Sequence, residues 1–141
     1  MLPFCGYHMA DYWQHWLDMG EKLGDKAPKI FNVNWFRTDD QGNFIWPGFG
    51  DNLRVLEWIL KRCFGEAEAQ ETAIGWEPKP EDIDLEDSGV DLDTLKGLLS
   101  VDKSLWQDEV KGIREFYQKF GGRLPGKLSE ELDALEGRLK D

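Results

Sequence analysis

Between Lys29 and Asn52 stand Phe31, Trp35, Phe36, Phe44, Trp46 and Phe49, a third of the eighteen Phe, Trp and Tyr residues in a chain of 141. A short hairpin has one face to give to a core. Six rings exceed what that face absorbs, so some of them are expected on a surface that binds something. Asn32, Asn34 and Asn52 lie among them, and amides beside aromatic rings suit a half-wet binding face better than a dry interior.

The elements that must position these residues follow from period and turn chemistry. From Ile30 the period-two pattern puts Phe31, Val33 and Trp35 on a core face, and Ile30, Asn32, Asn34 and Phe36 on the other. Asp39, Asp40, Gly42 and Asn43 favour a turn, which predicts a hairpin with Phe44 to Trp46 as the returning strand. Pro47, Gly48 and Gly50 predict a tight bend that carries Phe49 with little to bury it. Asp51 or Asn52 is then a suitable N-cap for a helix with Leu53, Leu56, Ile59, Leu60 and Cys63 at helical spacing.

The stretch KIFNVNWFRTDDQGNFIWPGFGDNLRVLEWIL resembles the guanine-binding segment of the GTP-dependent phosphoenolpyruvate carboxykinases. PFCGYHMADYWQHWL before it and AIGWEP after it match the final section of that family in the same order. The resemblance implies that Phe36, Phe44 and Phe49 enclose a guanine base with Trp35 beside them. It further implies that Phe49, Gly50, Asp51 and Asn52 contact the nucleotide, with the Asn52 amide reading the base edge, and that Phe4 borders the substrate cavity of the intact enzyme. A purine has two π-faces and a polar rim, so flat apolar walls with a few fixed polar groups fit it. An amide can donate to O6 of guanine and accept from its N1 or N2 hydrogens, and adenine would leave such groups unpaired at a cost large enough to discriminate. An aromatic groove could alternatively hold a proline-rich or extended peptide.

Charge is uneven. Residues 1–65 carry seven Lys or Arg against eight Asp or Glu, and residues 66–141 carry ten against twenty, for a net charge of −11. That balance argues against nucleic-acid or anionic-membrane binding, which need basic surfaces. No apolar run approaches the roughly twenty residues that span a bilayer, and no secretory signal opens the chain. Cys5 and Cys63 are isolated and fit reduced thiols in a cytoplasmic protein. Leu2, Pro3, Phe4 and Tyr7 make an apolar beginning of the kind found inside a longer chain, as expected for a C-terminal portion of a carboxykinase.

The remaining elements are read as helices with one small strand. Asp11 is expected to cap a helix running to about Met19, followed by a polar linker from Gly20 to Pro28. His8 and His15 lack carboxylate or Cys partners at ligand-like spacing, so no metal site is assigned to them. Ile74 to Trp76 reads as a short strand stopped by Pro78 and Pro80. Glu81 to Asp93 carries seven acids but not the glycine and glutamate placement of a calcium loop. Helices are expected over Asp91 to Leu99, Asp102 to Phe120 with Gly121–Gly122 stopping it, and from a cap at Ser129 onward. The predicted fold class is therefore α+β, mainly helical with a small β-hairpin, and the resemblance implies that it is a partial C-terminal lobe of a larger α/β enzyme. Residues 1–80 hold the guanine-binding hairpin with its flanking helices, and residues 81–141 hold the acidic loop and C-terminal helices.

No glycine-rich loop ending in Lys and Ser or Thr occurs, and no His, Asp and Lys set suited to manganese. The resemblance places those parts upstream. It implies that the intact enzyme converts oxaloacetate and GTP to phosphoenolpyruvate, GDP and carbon dioxide in gluconeogenesis, using Mn²⁺ and Mg²⁺. This chain is expected to bind neither metal, to be catalytically inactive alone, and to have guanine nucleotide and the missing N-terminal part of the same enzyme as partners.

Overall fold

The computed structural model describes residues 2–140. In chain order it contains α1 (Met9–Leu23), α2 (Asn52–Phe64), β1 (Gln70–Thr72), β2 (Gly75–Glu77), α3 (Leu92–Leu98), α4 (Lys103–Gln118) and α5 (Gly126–Arg138). The architecture is α+β and mainly helical, with one two-stranded antiparallel hairpin. Two compact units divide it, one from residues 1–28 and 102–141, the other from residues 29–101.

The first unit is a helical cluster sealed by aromatic rings. Trp13 of α1 meets Phe116, Tyr117 and Phe120 of the α4 region, the last at 4.6 Å between centroids. Val110, Phe120, Leu132 and Leu139 are buried, and Arg114 ties α4 to α5 through Asp133 at 2.9 Å and Glu136 at 2.8 Å. Two helix starts differ from the sequence reading. α1 begins at Met9 because His8 acts as the cap, its Nδ1 accepting from Ala10 N at 3.3 Å, while Asp11 is free to pair with Arg123. α5 begins at Gly126 directly after Pro125, which puts Ser129 inside the helix instead of at its cap.

The second unit holds the aromatic segment. Its core is Trp46, Trp58, Ile83 and Leu95, with Phe31, Trp35, Val55 and Ile59 packed against them. Asp91 caps α3 by accepting from Thr94 N. The β ladder pairs Gln70 with Glu77 and Thr72 with Gly75, so the strand expected around Ile74 to Trp76 has a polar partner that carries no period-two signal. Residues 30–46 form a hairpin-shaped loop instead of a ladder, with one bridge, Thr38 to Phe44. Pro47 is a physical reason: in the register of that bridge, where Asp39 N donates to Asn43 O and Ile45 N to Arg37 O, the next donor toward Trp35 would be Pro47, which has no N–H.

Candidate base-binding site

Burial follows the alternation expected of residues 30–36. Phe31, Val33 and Trp35 are half-buried, and Ile30, Asn32, Asn34 and Phe36 are exposed. Phe31 sets its ring edge against Trp58 at 6.1 Å and 88°, which anchors the inward face. Trp35 likewise packs on the core cluster. Arg37 fastens the loop from outside the core by donating to the carbonyls of Gly97 and Leu98, at 3.3 and 2.7 Å.

The turn itself is drawn together by Asp39. Its carboxylate accepts from the backbone N–H groups of Gln41 at 2.9 Å and Asn43 at 2.8 Å, and from Asn43 Nδ2 at 3.2 Å. Those bonds to the Asn43 backbone and side chain hold the Asp39 carboxyl below its ordinary range, because hydrogen bonding favours the charged form. Ile45 N donates to Arg37 O at 3.0 Å, closing the loop. Phe36 and Phe44 are thereby brought together, 6.0 Å between centroids at 62°, and remain 70% and 64% exposed.

Phe49 stands on the following bend. Gly48 has φ +79° and Phe49 itself φ +29°, a region that side-chain-bearing residues avoid. A single tight turn over Phe49–Asp51 then leads into α2. The Phe49 ring is 98% exposed, and among the described residues it has no ring partner. The structure therefore joins Phe36 to Phe44 and leaves Phe49 projecting separately. The rings stand on open surface. A shallow groove of about 470 Å³ runs instead along α2, lined by Gly50, Leu53, Arg54, Leu56, Glu57, Leu60 and Asp84.

Asp51 and Asn52 do not cap α2 with their side chains. The Asp51 carboxylate accepts from Arg54 Nε at 2.9 Å, and Asn52 Oδ1 accepts from the indole Nε1 of Trp46 at 3.0 Å. Trp46, 6% exposed, is the residue that sequence reasoning passed over. It lies six positions before Asn52 across the Pro47–Asp51 bend, and only the folded bend brings the two together. Phe4, in the other unit, is exposed.

The model of the phosphoenolpyruvate carboxykinase C-terminal P-loop domain matches residues 1–138. This chain belongs to the GTP-dependent phosphoenolpyruvate carboxykinase family. It is 55% identical over 141 residues to a phosphoenolpyruvate carboxykinase [GTP] of Treponema pallidum (strain Nichols), covering 99% of this chain and 23% of that relative. Identity to the protein of that name from Chlamydia caviae is 50% (99% of this chain, 24% of the relative), and to that of Chlamydia pneumoniae 48% (100% and 24%). The chain thus spans about a quarter of the length of these carboxykinases.

The family model is named for a P-loop, and the nearest approach to that pattern is Gly121–Leu128, which reads GGRLPGKL. A phosphate loop needs a strand before it and a hydroxyl after the lysine. Here helix α4 precedes, and Leu128 stands in the hydroxyl position. Among the described residues no group of three or more His, Cys, Asp and Glu gathers as metal ligands. Nor is any described helix long and apolar enough to cross a membrane.

Proposed function

We propose that this chain is the guanine-reading segment of a cytoplasmic, GTP-dependent phosphoenolpyruvate carboxykinase. The intact enzyme, a lyase of gluconeogenesis, would convert oxaloacetate and GTP to phosphoenolpyruvate, GDP and carbon dioxide. The observation that carries the reading is the exposure of Phe36, Phe44 and Phe49 beside a core that takes Phe31, Trp35 and Trp46 from the same segment. Rings left in water on a loop held by Arg37 and Asp39 are what a base needs in order to stack. Phe36, Phe44 and Phe49 are the walls, Gly50 and Asp51 supply backbone, Asn52 reads the edge, and Trp35 supports the wall from beneath. Phe4 belongs to the substrate side.

Phosphoryl transfer depends on cations placed around the phosphates. Those come from the N-terminal part of the same enzyme, so this segment alone is inactive and holds no metal. Binding of GTP, ATP and a proline-rich peptide to the wild type and to Phe49→Ala tests the reading. A preference for GTP over ATP in the wild type, with GTP binding that the substitution weakens, supports it. Peptide binding without nucleotide preference would replace it with an interaction module.

A further inference from the structure

We propose that Trp46 is a positioning residue that makes Asn52 a hydrogen-bond donor toward the base, and so sets the preference for an oxygen at purine position 6. The inference rests on the guanine-binding reading above. A free asparagine amide turns either end outward at little cost, and would then donate to guanine O6 or accept from an exocyclic amine about equally well. The Asn52 amide is not free. Its Oδ1 accepts the Trp46 indole N–H at 3.0 Å, and Asn52 is fixed as the first residue of α2. Reversing the amide would set Nδ2 against that N–H, donor against donor. Trp46 is 6% exposed and its N–H has Asn52 Oδ1 as its partner, so reversal leaves that donor without its bond and disfavours the reversed form by about tenfold.

The Nδ2 end, with no partner among the described residues, is what remains for a ligand. Two hydrogens there accept nothing. They pair with the O6 carbonyl of guanine and oppose the 6-amine that adenine and 2,6-diaminopurine carry at the same place.

Two ribonucleotides differing at that edge test the assignment on this chain by NMR titration: guanosine 5′-monophosphate and the 5′-monophosphate of 2,6-diaminopurine riboside. The wild type is expected to favour the first by about tenfold. Trp46→Phe keeps a ring in the core and removes the donor, and should bring the two affinities to within about threefold. Phe49→Ala should weaken both alike and leave their ratio unchanged, because stacking tolerates every base. Equal affinities in the wild type would overturn this inference, since an unoriented amide behaves so, and failure to bind guanosine 5′-monophosphate at all would overturn the guanine reading with it. A wild-type preference that survives in Trp46→Phe would overturn the role of Trp46 alone. Should Trp46→Phe lose its fold, hydrogen exchange of the Trp46 indole in the wild type and in Asn52→Ala decides the matter. Exchange about tenfold faster in Asn52→Ala supports the bond, and equal rates overturn it.

Discussion

The rings of Phe36 and Phe44 meet edge to face at 6.0 Å and 62°, and both remain open to solvent. Two rings so inclined cannot sandwich a base between parallel faces. A purine can stack on one ring while the edge of the other borders it, so each ring sets the orientation of its neighbour as well as touching the ligand. Phe36→Ala and Phe44→Ala are each expected to weaken guanosine monophosphate binding by about 1–3 kcal/mol. The double variant should lose less than the sum, since neighbouring side chains are coupled. Both single variants should keep their stability within about 0.5 kcal/mol, as exposed substitutions do, which urea unfolding will show.

Phe49 separates binding from stability. Its ring buries almost nothing, and its φ of +29° is a conformation that glycine adopts without strain. Removing the Cβ relieves about 1 kcal/mol, partly offset by the wider freedom of glycine in the unfolded chain. Phe49→Gly is therefore expected to hold or raise Tm while weakening nucleotide binding as much as Phe49→Ala does. A fall in Tm of several degrees would mean that the ring is packed and not waiting for a ligand.

Phosphates should matter little to this segment. Two stacked rings give about 2–6 kcal/mol before the cost of association, and a millimolar complex needs about 4 kcal/mol. Dissociation constants for GTP, GDP and guanosine near or above millimolar, within about threefold of one another, are expected from tryptophan fluorescence. Micromolar GTP binding that vanishes with the γ-phosphate would point to a phosphate site elsewhere in the chain.

Glu77 supplies a pH test of the small hairpin. Burial pushes its carboxyl above the ordinary value, against a weaker opposing bond from Thr72, and its Oε2 has no hydrogen-bond partner. A raised carboxyl stabilises the fold while protonated, below the unfolded value, and that contribution is lost as pH rises through the folded value. Glu77→Gln stays neutral throughout. It should raise Tm at pH 7, with the gain shrinking toward pH 4, near the unfolded value of about 4.3. A Tm loss independent of pH would contradict this.

Much of the second unit was legible in residue order. The alternation from Ile30 to Phe36 separated core from surface because period two survives even where no ladder forms. Asp39 and Asn43 marked the turn through their own side-chain chemistry. Of the ladder at Gln70–Glu77, the second strand was legible around Ile74 to Trp76, but its partner was not, because Gln70, Glu71 and Thr72 are polar and short. The starts of α1 and α5 were misplaced because His8 is an unusual cap, and because Ser129 imitates a cap inside a helix that Pro125 already opens. Within the candidate site, the surplus of rings announced Phe36, Phe44 and Phe49. The bond from Trp46 to Asn52 was hidden, since it depends on how the bend from Pro47 to Asp51 folds back.

The central claim, that these rings and one amide face a guanine base, is tested most directly by intermolecular NOEs to guanosine monophosphate on the isotopically labelled chain. The account predicts contacts from the base H8 to ring protons of Phe36, Phe44 and Phe49, with a shift of the Asn52 Nδ2 hydrogens that adenosine monophosphate does not produce. Saturating nucleotide that leaves those four residues unperturbed, or adenosine monophosphate reproducing every contact and shift, would contradict it.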